Sequence, residues 1–138
     1  MGIGSGIYNI FLIAHIVTAT LAFGPLFLYP SLRRNGETAT IARMHMRLVF
    51  PALAIMWVLG MGLSGLSDQA HKVAHLWISL SIVIWTILMI VSWFLIRPAI
   101  TDATDAGKSK LAAGTGITHL LLIVSLNLMV FKPGEFGG

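Results

Sequence analysis

Cysteine is absent from this 138-residue chain, and charge is scarce, with nine Lys or Arg and five Asp or Glu in all. Without cysteine there is no disulfide, no thiolate iron–sulfur centre and no covalent haem attachment through CxxCH. No Walker loop, dinucleotide fingerprint, HExxH helix or nucleophile elbow is present either. Acidic residues are missing from every long apolar run. That argues against an ion or proton pump built on intramembrane carboxylates.

The few charges are confined. Met1–Leu32, Leu48–Ser67, Val73–Ile96 and Leu111–Phe131 hold none, in runs of 32, 20, 24 and 21 residues. A soluble domain averages about 25% charged residues and breaks its apolar runs with polar faces. About 20 helical residues cross a hydrocarbon core of ~30 Å. Soluble enzyme folds are thereby excluded. The pattern predicts an all-α, integral membrane four-helix up-down bundle forming one domain. Its spans are expected at about 7–29, 48–67, 73–96 and 111–131, with an interfacial helical lead-in at about 38–47. The first run has no positive n-region and is too long for a signal-peptide core, so it is expected to span.

Orientation follows from the basic residues. The connections 33–47 and 97–110 carry Arg33, Arg34, Arg43, Arg47, Arg97, Lys108 and Lys110, against only Lys72 and Lys132 on the other side. The positive-inside rule then predicts a multi-pass protein of a bacterial-type inner membrane, with both termini on the outer side. A net charge of +4 beside membrane spans points to anionic lipid rather than nucleic acid as the partner. Gly24-Pro25 and Pro30 should disturb the first span, and Pro51 should bend the second. Asp68–Lys72 is expected to be a tight outer turn. Pro98 is expected to close the third span, with a polar loop over Thr101–Ser109, and Lys132-Pro133-Gly134 to end the fourth.

Five histidines stand out against this background. His15, His75 and His119 lie within the uncharged runs, while His45 and His71 lie just outside them. An intramembrane ionisable residue is a functional hypothesis by default, although histidine also serves as an interhelical hydrogen-bonding group. His15 has the strongest context, with Tyr8 and Phe11 before it and Thr18, Ala19 and Ala22 after it at helical spacing. His45 is the one most readily taken as structural. In the fourth span Thr115, Gly116, His119 and Asn127 form a polar stripe expected to face the bundle. Neutral imidazole is a usual ligand of haem iron, and a non-covalent b-type haem suits a cysteine-free helical bundle. His15 and His119 are the candidate ligands, their levels differing by roughly 8 Å at 1.5 Å per residue.

Asp68, His71 and His75 could align on one helical face near the outer surface, a donor set suited to copper or zinc. A helix start capped by Asp68 is the simpler expectation. Gly60 and Ser64 make a small-xxx-small pair in span two. Trp77, Trp85 and Trp93 follow one stripe of span three, the outer two placed for interfacial anchoring.

Three segments carry a family resemblance. They are IFLIAHIVTATLAFGPLFLYPSLRR with His15 and Pro30, RMHMRLVFPALAIMWVLG with Met44, Arg47, Pro51 and Gly60, and LNLMVFKPG with Lys132-Pro133. In these, and in size and span number, the chain resembles the HemJ-type protoporphyrinogen oxidases and the CopD-like membrane domains around them. The resemblance implies a shared four-span fold and a b-type haem bound by His15. The family's third-span lysine has no counterpart between Val73 and Ile96, His45 stands where an acidic residue is usual, and a span-four Asn-Glu element is reduced to Asn127. The resemblance therefore implies the fold and the haem, not the oxidase reaction.

The leading expectation is a small membrane protein binding b-type haem and linked to redox or haem metabolism. The first alternative is a homo-oligomer or non-catalytic accessory subunit of a larger respiratory or photosynthetic-type membrane complex. The second is an outer-surface copper or zinc site.

Overall fold

A computed structural model describes residues 3–67 and 75–133. Four helices account for nearly all of them, each long and apolar enough to cross a membrane: α1 Gly6–Arg34, α2 Thr38–Leu66, α3 Leu76–Thr101 and α4 Asp105–Phe131. No strand occurs among the described residues. Ser5 starts α1, its hydroxyl accepting from the Tyr8 amide at 3.3 Å, so one otherwise orphaned donor is satisfied. The α1–α2 connection turns at Gly36, whose φ of +76° is open to glycine without strain.

Proline shapes all three helices that contain it. In α1, Pro25 opens a 3₁₀ turn over Pro25–Leu28, after which Tyr29–Arg34 resumes α geometry. In α2 and α3 the chain widens instead into π turns at His45–Val49 and Val91–Ile96. The amide of Phe50 donates to the His45 carbonyl, and that of Arg97 to the Ser92 carbonyl. Each turn ends just before a proline, Pro51 or Pro98. A proline ring clashes with the carbonyl four residues earlier, and a wider turn moves that carbonyl aside. Pro98 thus does not close α3, which continues through Thr101.

The expected loop over Thr101–Ser109 is also much shorter. Thr104 caps α4, its hydroxyl oxygen accepting from the Gly107 amide at 3.2 Å, and Asp105 adds negative charge to the first turn. The Thr104 hydroxyl and amide both donate to Asp102 Oδ1, at 2.6 and 2.9 Å. These bonds hold the Asp102 carboxyl below the usual carboxylate range.

Packing is closest at the arginine-rich end. Ala22, Leu26, Tyr29, Ile41, Val49, Leu53, Leu88, Ile96, Ile100 and Leu111 form one buried cluster there. Arg33 ties α1 to the end of α3. Its Nη1 donates to the carbonyls of Ala99 at 2.9 Å and Ile100 at 3.0 Å, and its Nη2 to that of Asp102. The last carbonyls of a helix lack intrahelical donors, and this guanidinium supplies them. Outside the cluster, apolar side chains such as Ile10, Ile13, Phe94 and Val130 are exposed around the bundle. Such a surface suits hydrocarbon.

Candidate functional site

His15 projects from α1 onto α2. Its Nδ1 lies 3.0 Å from the Met56 carbonyl oxygen. A carbonyl only accepts, so the ring proton is assigned to Nδ1 and the lone pair to Nε2. Gly60 follows Met56 by one turn and makes the room for the ring. A Cβ at Gly60 would lie 3.2 Å from His15 Cε1, and one at Gly62 would lie 2.7 Å from the Phe11 ring. A histidine with one ring nitrogen anchored to a backbone carbonyl is oriented to ligate a metal through the other. Sequence spacing paired Gly60 with Ser64; the glycines that receive side chains from α1 are Gly60 and Gly62.

His119 lies elsewhere. Its ring stacks on Phe27, centroids 4.0 Å apart and planes inclined by 12°. Its Nε2 is buried without a hydrogen-bond partner. Phe27 is more than three helical turns beyond His15 on α1, so the His15 and Phe27 levels differ by about 18 Å. Part of the excess over the sequence estimate comes from side chains leaning toward the N-terminus of their own helix. In antiparallel α1 and α4 that lean carries His15 and His119 apart. The structure does not bring the two rings to one haem. The polar stripe on α4 also divides: Thr115 and Thr118 are buried and His119 is half-buried, whereas Gly116 and Asn127 are exposed.

His75 stands at the start of α3, its Nδ1 buried and unpartnered. Asp68 and His71 lie outside the described residues. Among the described residues no group of three or more His, Cys, Asp or Glu side chains is placed to hold a metal ion.

The most elaborate polar arrangement centres on His45, the histidine whose sequence context most suggests a structural role. It is completely buried. Its Nδ1 lies 3.0 Å from the Tyr29 hydroxyl, and its Nε2 lies 3.1 Å from the Ser92 carbonyl and 2.9 Å from the Ser92 hydroxyl. The Ser92 carbonyl must accept, so Nε2–H donates to it and the Tyr29 O–H donates to Nδ1. Both ring nitrogens are thus engaged, and His45 has no lone pair free for a metal. The network joins α1, α2 and α3 through the two π turns. One signal for it was present in the sequence. Ile41, His45, Val49 and Leu53 recur every fourth residue, and all four are buried.

The tryptophans have separate tasks. Trp85 donates from Nε1 to the Leu53 carbonyl at 2.8 Å and stacks on Trp57, fastening α3 to α2. Trp93 lies beneath the Arg97 guanidinium at 4.0 Å, and Trp77 lies 5.5 Å from Lys132 Nζ. A ring paired with a cation at each end of α3 suits two headgroup interfaces.

No known protein family, curated protein or solved structure matches this chain. The site must therefore be read from its own geometry.

Proposed function

We propose that the chain is a multi-pass protein of a bacterial inner membrane that binds a b-type haem through His15. Both termini face outward in this reading, and its role is in redox or haem metabolism. The carrying observation is the hydrogen bond from His15 Nδ1 to the Met56 carbonyl, which leaves Nε2 with the lone pair that iron requires. Gly60 supports the reading by seating the ring. The motif resemblance to HemJ-type proteins, shared at His15, supports it as well. His119 does not fit as a second ligand of the same haem, because it stacks on Phe27 far from the level of His15. When bound, haem would supply one-electron chemistry at iron; the protein's part is to orient His15 and exclude water. The orientation rests on the seven basic residues gathered at one end.

Optical spectra of the detergent-purified protein test this directly. After haem supplementation the expected result is a Soret band and a positive pyridine haemochrome. His15→Ala should abolish both, and His119→Ala should leave them in place. No Soret band from the wild-type protein overturns the proposal.

A second reading, an accessory subunit of a larger membrane complex, is favoured by the connections at the arginine-rich end. They are residues 35–37 and 102–104 only, so at that end the described residues form no aqueous domain for a soluble substrate. Native mass spectrometry of source membranes separates the readings, since a lone monomer or homodimer counts against the subunit.

A further inference from the structure

An open cleft of about 490 Å³ lies between the end of α1 and the start of α4. Its rim carries Arg33, Arg34 and Lys108, and its wall is formed by Pro30, Leu111 and Thr115. Arg33 is committed to the α3 carbonyls. Arg34 has no hydrogen-bond or ionic partner among the described residues, and Lys108 has only an exposed contact with Asp105 at 3.9 Å. Thr115 is turned inward, its hydroxyl donating to the Leu111 carbonyl at 2.9 Å and the Ala112 carbonyl at 3.1 Å. The wall is therefore effectively apolar. One turn farther along α4, the Phe27–His119 stack continues the apolar path.

The geometry points to a site for one anionic phospholipid, with its phosphate between Arg34 and Lys108 and an acyl chain along the α1–α4 groove. Two features select a lipid over a soluble anion. Cations meet apolar wall at the ends of two membrane-crossing helices, the depth at which a headgroup phosphate lies. The cleft is open rather than enclosed, so a free phosphate would keep most of its hydration and gain little. Arginine adds a planar fork for phosphate oxygens, and lysine adds a mobile point charge. This site is independent of His15, and its test does not depend on haem.

The experiment titrates the detergent-solubilised full chain with phosphatidylglycerol, using native mass spectrometry. Phosphatidylcholine of the same acyl chains and inorganic phosphate serve as comparison ligands. A single phosphatidylglycerol should bind at least tenfold more tightly than phosphatidylcholine, with no competition from millimolar phosphate. Each neutralised cation should weaken binding roughly fivefold, and Arg34→Gln/Lys108→Gln together roughly thirtyfold. Arg43→Gln/Lys110→Gln removes two exposed cations that do not line the cleft, and should change binding by less than about twofold. Equal losses in both double variants would show a diffuse surface potential and overturn the site. Unchanged binding in Arg34→Gln/Lys108→Gln, or competition by inorganic phosphate, would overturn it also.

Discussion

The Tyr29 hydroxyl lies 3.0 Å from His45 Nδ1, and neither residue has any measurable exposure. This single contact joins the end of α1 to the π turn of α2, and the opposite edge of the same ring reaches Ser92 on α3. Three helices thus share one imidazole. An unpaired buried polar group costs about 1–3 kcal/mol, so the network fixes how these helices meet.

Removing the ring should be expensive. His45→Ala is expected to lower stability by about 2–4 kcal/mol, through the space it leaves and the Tyr29 hydroxyl it orphans. Tyr29→Phe should cost roughly 0.6–1.7 kcal/mol, the range of interhelical hydrogen bonds in a membrane bundle. Equilibrium unfolding in mixed micelles measures both, and the double variant should fall short of their sum. Strict additivity would show that the two side chains do not act together.

Arg33 offers a second test. Arg33→Met should open the end of α3, seen as faster amide exchange over residues 97–104 and a stability loss of about 2–3 kcal/mol. Arg33→Lys should recover only part of this, because one ammonium cannot span the carbonyls of Ala99, Ile100 and Asp102 as the fork does.

The Asp102 carboxyl provides a pH signature. Its pKa is lowered in the folded state by the Thr104 hydroxyl and amide. Its contribution is present above the ordinary carboxylate value of about 3.9 and is lost as pH falls through the lower folded value. Asp102→Asn should therefore flatten the decline in stability below about pH 4. An acid titration with an unchanged slope in the variant would remove this assignment.

Gly60 links fold to proposed cofactor. Gly60→Val should push the His15 ring from its seat and weaken haem binding about 10–100-fold, the usual effect of disturbing an outer-shell partner. A side chain at Gly65 meets nothing within 4 Å, so Gly65→Ala should leave haem binding unchanged. Matching haem loss in both variants would mean that helix stability, not ring placement, controls occupancy.

Much of the fold was legible because charge in a membrane protein is placed with little freedom. The four uncharged runs each overlap one long helix, and the seven basic residues mark the end where packing is densest. The site was less legible. His15 stood out because an ionisable group in an apolar run is conspicuous, yet its Met56 partner is a backbone carbonyl, which no residue type announces. His45 reads as structural from its place just outside the uncharged runs, and it is, with Ile41 and Val49 on its own buried face. Its partners Tyr29 and Ser92 come from two other helices, and no local spacing connects them. Pro51 and Pro98 were visible, but the π turns that accommodate them are closed by the His45 and Ser92 carbonyls, and the Ser92 carbonyl also takes the His45 ring from another helix. The level of His119 is only loosely fixed by counting residues, because a shift of about two to four residues in a span boundary moves it by several Å and side chains lean along the helix as well.

The π turn at His45–Val49 makes this stretch sensitive to chain length rather than to composition. It holds one residue more than an α turn would, and each helical residue rotates the face by about 100°. Deleting a single residue there would let the backbone return to α geometry. The preceding segment, Thr38–Met44, would keep its face, because the wide turn absorbs the extra residue, but the carbonyl four residues before the proline would return beneath the Pro51 ring. Chains that retain Tyr29 and Ser92 should thus accept exchanges of Met46 or Leu48 more readily than the loss of either.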